Sequence, residues 1–210
     1  MKIGIIGAGN VGGALGTRFA QGGHEVVFGS RHPESKEMTE LTGKAGPTAR
    51  AASTALAAAS SDVLILATPW GATKSVLDSA GDLTGKTLLD ATNPLLPDLS
   101  GLELGRDFSG AEQVAAWAPG AKVVKIFNSV GYNIMTDPSF HGVGPVMFYC
   151  GDDPDAKTTA AQLATELGFD AVYAGPLTQA RLLEPFALLW VTLALFHGQG
   201  REIGFKLLRR

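Results

Sequence analysis

Lys2-Ile3-Gly4-Ile5-Ile6-Gly7-Ala8-Gly9-Asn10-Val11-Gly12 is the stretch on which the fold turns. A short aliphatic run stops at a GxGxxG pattern, and a helix-compatible segment follows directly. Alone the glycine pattern is common. After a buried-looking strand, at the opening of a helix and ahead of a second strand, it reads as a phosphate-binding turn. Gly7 permits the tight turn, Gly9 lets the backbone approach a pyrophosphate, and Gly12 lets helix and strand pack closely. Asn10 and Val11 complete the loop, and the N–H groups at the helix start face the phosphates.

The glycines are local to this region. The chain holds 27 in 210 residues, about 13% against a usual 7% or so. Nine of them (4, 7, 9, 12, 13, 16, 22, 23 and 29) fall in the first 29 residues.

Further along, short aliphatic or β-branched runs recur at Glu25–Phe28, Asp62–Ala67, Lys86–Ala91, Lys122–Phe127, Pro145–Tyr149 and Asp170–Tyr173, with a weak one near Thr48–Arg50. Several are continuously apolar, as in strands buried on both faces. Helix-compatible segments separate them: Gly12–Gln21, Glu34–Thr42, Ala51–Ala59, Ala72–Ser79, Gly110–Trp117 and Asp155–Leu167. This alternation predicts an α/β fold, a Rossmann-like, doubly wound and mostly parallel sheet. The spacing predicts a single nucleotide-binding domain over 1–210, in which 178–210 form an apolar C-terminal helical extension.

The end of the second strand selects the dinucleotide. An NAD site usually carries an acid there for the ribose 2′-hydroxyl. Gly29-Ser30-Arg31 offers instead a hydroxyl and a planar cationic fork, suited to a 2′-phosphate, with Lys36 able to approach from the next helix. The expected cofactor is NADP(H). The plainer alternative makes Ser30 a helix cap and Arg31 a solvated side chain. His24 and Glu25 read as structural.

Ligands of open α/β sheets lie beyond the carboxyl ends of the strands. Four ends carry distinctive residues: Thr68-Pro69-Trp70, Thr92-Asn93-Pro94, Asn128-Ser129 and Cys150-Gly151-Asp152. The expected hydride-transfer pocket comprises Pro69, Trp70, Asn93, Asn128 and Ser129, with Thr68 and Pro69 also touching the cofactor. Asn93 and Asn128 would orient a ring through their amides. Cys150 has no adjacent histidine and reads as a small buried hydrophobe, and Asp152-Asp153-Pro154 reads as a helix cap.

Bulk composition narrows the classes. Seventeen basic against 20 acidic residues leave a net charge of −3, and no basic stripe precedes the terminal Lys206–Arg210 cluster, so nucleic acid is not an expected partner. One cysteine and four scattered histidines argue against a disulfide framework or a metal site. The most apolar run, Phe186–Phe196, reads as too short to cross a bilayer, so a soluble cytoplasmic protein without membrane attachment is expected. The apolar residues Leu183, Leu188, Leu189, Trp190, Leu193 and Phe196 nearly encircle their helix. They suggest part core, part homodimer face.

No positioned acid is visible. The Tyr-x-x-x-Lys pair of short-chain dehydrogenases is absent, since Tyr132 is followed four residues on by Thr136. Reduction of a carbonyl usually needs such an acid. Hydride transfer to a flavin-like ring does not, because the acceptor's heteroatoms take up the charge. No side chain is therefore assigned as catalytic acid or base, and a small-molecule hydride acceptor of the flavin or deazaflavin class is favoured.

The chain resembles the coenzyme F-420-dependent NADP oxidoreductases over nearly its whole length. The likeness is carried by Lys2–Gly7 with Gly9-Asn10, Gly23–Arg31, Pro69-Trp70, Gly151-Asp152-Asp153, Ala174-Gly175-Pro176-Leu177, Ala180–Glu184 and Gly204-Phe205-Lys206. It implies transfer between NADP(H) and the deazaflavin F-420, with phosphate contacts at Gly9, Asn10, Ser30, Arg31 and Lys36. The segment Lys125-Ile126-Phe127-Asn128-Ser129 is similar instead to a bacterial subgroup and to the NADPH-binding domain of STEAP ferric reductases, where hydride passes to a flavin. A non-catalytic NADP(H) sensor and a reductase of a small imine or ketone remain the alternatives.

Overall fold

The computed structural model describes all residues from Met1 to Arg210. An eight-stranded sheet is built from β1 (Lys2–Ile6), β2 (Glu25–Gly29), β3 (Ala49–Ala52), β4 (Val63–Leu66), β5 (Thr87–Asp90), β6 (Lys122–Lys125), β7 (Val146–Gly151) and β8 (Asp170–Tyr173), in the order β3-β2-β1-β4-β5-β6-β7-β8. The first six strands in chain order run parallel, and the order reverses at β1, between β2 and β4. That reversal opens a crevice above the carboxyl end of β1, where the glycine turn sits.

Period-two alternation divides the apolar side chains between two layers. Ile3, Ile5, Val63 and Ile65 join one buried cluster with Leu15, Phe19 and Leu163. Ile6, Val27, Leu64 and Leu66 join the other with Leu77, Val114 and Leu183. Both faces are covered, which explains the continuous apolar runs.

Eight helices flank the sheet: α1 (Asn10–Gln21), α2 (Lys36–Ala45), α3 (Thr54–Ala59), α4 (Trp70–Ala80), α5 (Gly110–Trp117), α6 (Tyr132–Thr136), α7 (Pro154–Leu167) and α8 (Ala180–Val191). Ala51 and Ala52, expected to open a helix, belong to β3. Ser53 starts α3 by accepting the Leu56 N–H at 3.2 Å. The short helix α6 was not expected from sequence.

Strand β7 is antiparallel to β6, with Lys125 opposite Cys150 and Val124 opposite Gly151. This corrects the expectation that Cys150-Gly151-Asp152 lies at the carboxyl edge with the other three strand ends. Because β7 runs back across the sheet, Cys150 stands level with Lys125 and the chain leaves at the opposite edge, where Asp153 caps α7 and pairs with Lys122 at 3.1 Å. Asp152 accepts the Leu177 N–H at 3.1 Å. Cys150 is fully buried, and burial pushes its thiol up to about 12. It serves packing.

The C-terminal extension begins as one continuous helical run of three kinds: a 3-10 turn (Leu177–Gln179), α8, and a π turn (Thr192–Phe196). Residues 197–210 are not helical, so the expected helical extension over 178–210 is corrected to end at Phe196. Leu177–Phe196 spans 20 residues at a mean hydropathy of 1.3, long and apolar enough to cross a membrane by length and composition. The expectation of a run too short to span is corrected on that point. Leu183, Glu184, Ala187 and Trp190 are buried inward, whereas Leu182, Leu189 and Phe196 are exposed.

Candidate functional site

The glycine turn is built as its residues require. Gly7 has φ +103°, where a Cβ would also meet the Ala67 carbonyl oxygen at 2.7 Å. A Cβ on Gly12 would lie within bonding range of the Gly7 carbonyl oxygen, so α1 can begin this close to β1 only with glycine there. Gly9 faces open space. It is the N-cap of α1, and no side chain caps that terminus. The first-turn N–H groups thus remain free for an anion. These features fit a dinucleotide pyrophosphate.

Gly29 stands in register with Ile6, so Ser30 and Arg31 leave the sheet beside the turn. Ser30 Oγ accepts the His32 N–H at 3.0 Å and keeps its own proton to donate. It caps no helix: Ser35 caps α2. Arg31 is exposed, and Lys36 projects from the first turn of α2 with its side chain 86% exposed. A hydroxyl and two cations at one sheet edge suit a 2′-phosphate.

A cleft of about 560 Å³ opens between the turn and the ends of β4 and β5. Gly9, Asn10 and Val11 form one wall, Thr68, Pro69 and Trp70 a second, and Ala91, Thr92 and Asn93 a third. Thr68 and Thr73 share a hydroxyl hydrogen bond at 2.9 Å, which fixes the start of α4. Trp70 stacks on Trp117 with ring centroids 5.3 Å apart. The fourth wall is a loop that sequence reasoning missed. Leu95 and Leu102 bridge across it, the Leu96 N–H donates to Gly101 O, and Leu95, Leu96, Pro97 and Leu99 face the cleft. Leu99 holds φ +61°, a left-handed backbone uncommon for leucine. No Tyr, His, Lys, Cys or Asp lines the space, and Glu103 is its one ionisable side chain.

Asn93 reaches this cleft, but Asn128 and Ser129 do not line it. Asn128 is 5% and Ser129 1% exposed. Asn128 sits behind Asn93 and exchanges amide hydrogen bonds with it, while Ser129 Oγ faces the Met147 sulfur at 3.9 Å. Pro94 is buried too. Asn128 and Ser129 therefore do not share an open pocket with Pro69, Trp70 and Asn93, contrary to expectation; the open space lies between Asn93, Trp70 and the 95–99 loop.

Behind that wall is a cluster the sequence reading did not identify. Lys125, Asp90 and Glu184 are all fully buried, with Lys125 Nζ 2.9 Å from Asp90 Oδ2 and 2.9 Å from Glu184 Oε1. Burial alone would favour loss of the lysine proton. Attraction to Asp90 and then to Glu184 outweighs it, and the ammonium is held above its usual range. Glu184 also accepts the Gly110 and Ala111 N–H groups at the start of α5, at 2.8 and 3.0 Å. At the same helix end Ser109 and Glu112 form a capping box, and Arg181 grips Glu112 through Nε (2.9 Å) and Nη2 (2.6 Å). The Arg181 contact, followed by that from Ser109, lowers the Glu112 carboxyl to about 2.

His24 bridges the N-terminal amine (3.2 Å) and Glu166 (2.8 Å) and packs edge-on against Phe19, in keeping with a structural role.

A family model described as NADP oxidoreductase, coenzyme F-420-dependent, matches residues 2–94. The F-420-dependent NADP reductase of Methanothermobacter thermautotrophicus is 32% identical, over 92% of this chain and 89% of its own. Metalloreductase STEAP3 of Rattus norvegicus is 31% identical over 89% of this chain, which spans only 36% of that larger protein. Among solved structures, one described as an F-420-dependent NADP-reductase from Arthrobacter superposes with a TM-score of 0.90 at 31% identity, covering both chains completely. A reductive aminase from Aspergillus terreus, solved with NADPH and ethyl levulinate, gives 0.67 at 25% identity, over 94% of this chain and 62% of its own. With the glycine turn, the Ser30-Arg31 edge and a near full-length relative in agreement, the chain belongs to the F-420-dependent family of NADP oxidoreductases.

Proposed function

We propose that this oxidoreductase transfers hydride between NADP(H) and a deazaflavin or flavin-type ring. The pyrophosphate would lie on Gly9, Asn10 and the start of α1, and the 2′-phosphate against Ser30, Arg31 and Lys36. The nicotinamide would enter the cleft beside Thr68, Pro69 and Asn93. The observation that carries this reading is the wall composition of the cleft. It holds aliphatic side chains, one tryptophan, amide or hydroxyl groups and the single carboxylate of Glu103, with no tyrosine, histidine or lysine to protonate a nascent alkoxide or amine. Such a site can align two rings and exclude water. It is poorly equipped for a ketone, which needs a proton donor. The bound cofactor supplies the hydride, and the protein supplies binding, orientation and a dry surface.

The direct experiment follows NADPH oxidation at 340 nm against F-420, FMN, FAD, riboflavin, quinones, ferric chelates and a cyclic imine. Turnover with a deazaflavin or flavin, and none with the imine, supports the proposal. Turnover of the imine alone overturns it in favour of an imine reductase. NADPH binding with no turnover of any acceptor supports a sensing role.

A further inference from the structure

Three ionisable side chains with no solvent exposure are costly to hold. Lys125 with Asp90 and Glu184 carries a formal charge of −1 into the interior, where desolvation consumes most of what the ion pairs return. Stability alone is a poor reason for such a cluster, because a well-packed apolar trio often does as well. An apolar trio cannot, however, orient backbone groups, and this cluster orients several.

Asp90 and Lys125 end adjacent strands in direct register. Immediately beyond β5, Asp90 Oδ1 accepts both the Thr92 N–H at 2.9 Å and the Thr92 hydroxyl at 2.7 Å. The third proton of Lys125 goes to the Thr92 carbonyl oxygen. Every polar group of Thr92 is therefore bound by the ion cluster. The next residue, Asn93, is tied from the other side: its Nδ2 donates to the Asn128 carbonyl, and Asn128 donates onward to Leu183 O at 3.1 Å. Leu183 precedes Glu184, so both lines of contact end on the same turn of α8. Thr92 and Asn93 are the β5 wall of the cleft.

We propose that Lys125 is a positioning residue for the nicotinamide end of the cofactor, fixing the Thr92-Asn93 turn against α8 through Asp90, Glu184 and the Thr92 carbonyl. Removing its charge leaves two carboxylates facing each other without a counter-ion, and the turn they hold loses its defined orientation. The glycine turn and the Ser30-Arg31 edge share no hydrogen bond with this cluster, so the phosphate end of the cofactor is unaffected. The proposal rests on the reading that the nicotinamide enters this cleft.

The test compares two ligands of the full chain. NADPH carries the nicotinamide; adenosine 2′,5′-bisphosphate carries the 2′-phosphate but no nicotinamide. In Lys125→Met and Thr92→Val, NADPH affinity is expected to fall about tenfold, the scale of one or two buried hydrogen bonds, with bisphosphate affinity within about twofold. Thr92→Ser keeps the hydroxyl on Asp90 and should bind like the parent. Equal losses for both ligands, unchanged NADPH affinity in the folded variants, or no advantage of NADPH over the bisphosphate in the parent protein would each overturn the proposal. If Lys125→Met does not fold, the Thr92 pair decides. Binding is read without an acceptor, so failure to find the acceptor and failure of this inference are separate outcomes.

Discussion

Asn93 and Asn128 hold each other reciprocally: Asn93 Nδ2 donates to the Asn128 carbonyl at 2.8 Å, and Asn128 Nδ2 returns to Asn93 Oδ1 at 3.1 Å. Asn128 is buried and Asn93 borders the cleft, so the buried partner acts through the other. Asn93→Ala and Asn128→Ala are expected to slow hydride transfer by similar factors, and the double variant should be little worse than either single one. A coupling of about 1 kcal/mol in the double-mutant cycle is the expected size. Additive losses would show that Asn128 acts independently of Asn93.

Arg31 is expected to read the 2′-phosphate. Arg31→Ala should weaken NADPH binding about 10–100-fold, the range for a charge-assisted contact, and NADH binding less than about twofold. Fluorescence titration with the two cofactors measures both. Equal losses would show that no phosphate contact exists.

Glu103 is the one formal charge on the cleft wall, and it opposes anionic acceptors. Glu103→Lys should raise kcat/KM for FMN about 3–10-fold at low ionic strength and leave riboflavin nearly unchanged, because the effect is steering of a charged ligand. The gain should fade as salt is added. An equal gain with both acceptors would point to a steric effect.

Glu112 gives the fold an acid-sensitive joint. Its folded-state value near 2 lies below the ordinary 4.5, so its contribution to stability is fully present above about pH 4.5. That contribution is lost progressively as pH falls from 4.5 toward 2. Glu112→Gln keeps an acceptor for the capping box but removes the charge and one of the two oxygens that Arg181 grips, and should cost about 1 kcal/mol near neutrality. Urea denaturation across pH should show the gap to the parent protein closing below about pH 4.5. A gap that stays constant would exclude this carboxylate as its source.

Much of the nucleotide half was legible because its signals are local. The glycine turn and its flanking strands each announce themselves within a few residues. Gly110–Trp117 is helical over the very bounds its sequence suggests, with Ser109 and Glu112 marking its start. What was not legible depends on residues far apart. Strand direction leaves no trace in Val146–Gly151, so the reversal at β7 was missed. Tyr132–Thr136 is too short to display a helical period. Lys125 lies in the apolar run Val123–Phe127, and its partner Asp90 is 35 residues away. One signal for the cluster does exist: a lysine and a glutamate, each alone within an apolar stretch, are two buried charges in need of one another.

The buried ion cluster draws one residue from each of three distant stretches of chain, at positions 90, 125 and 184. Removing any stretch strands charge in the interior of the others. The region matched by the family model, 2–94, includes Asp90 but neither of its charged associates, so it is a unit of resemblance rather than a unit of folding. Cut out alone, it would carry an uncompensated carboxylate at the open side of a half-built sheet. Heat or urea should accordingly disassemble the sheet and α8 in a single cooperative step, with no nucleotide-binding half surviving the loss of its C-terminal helix.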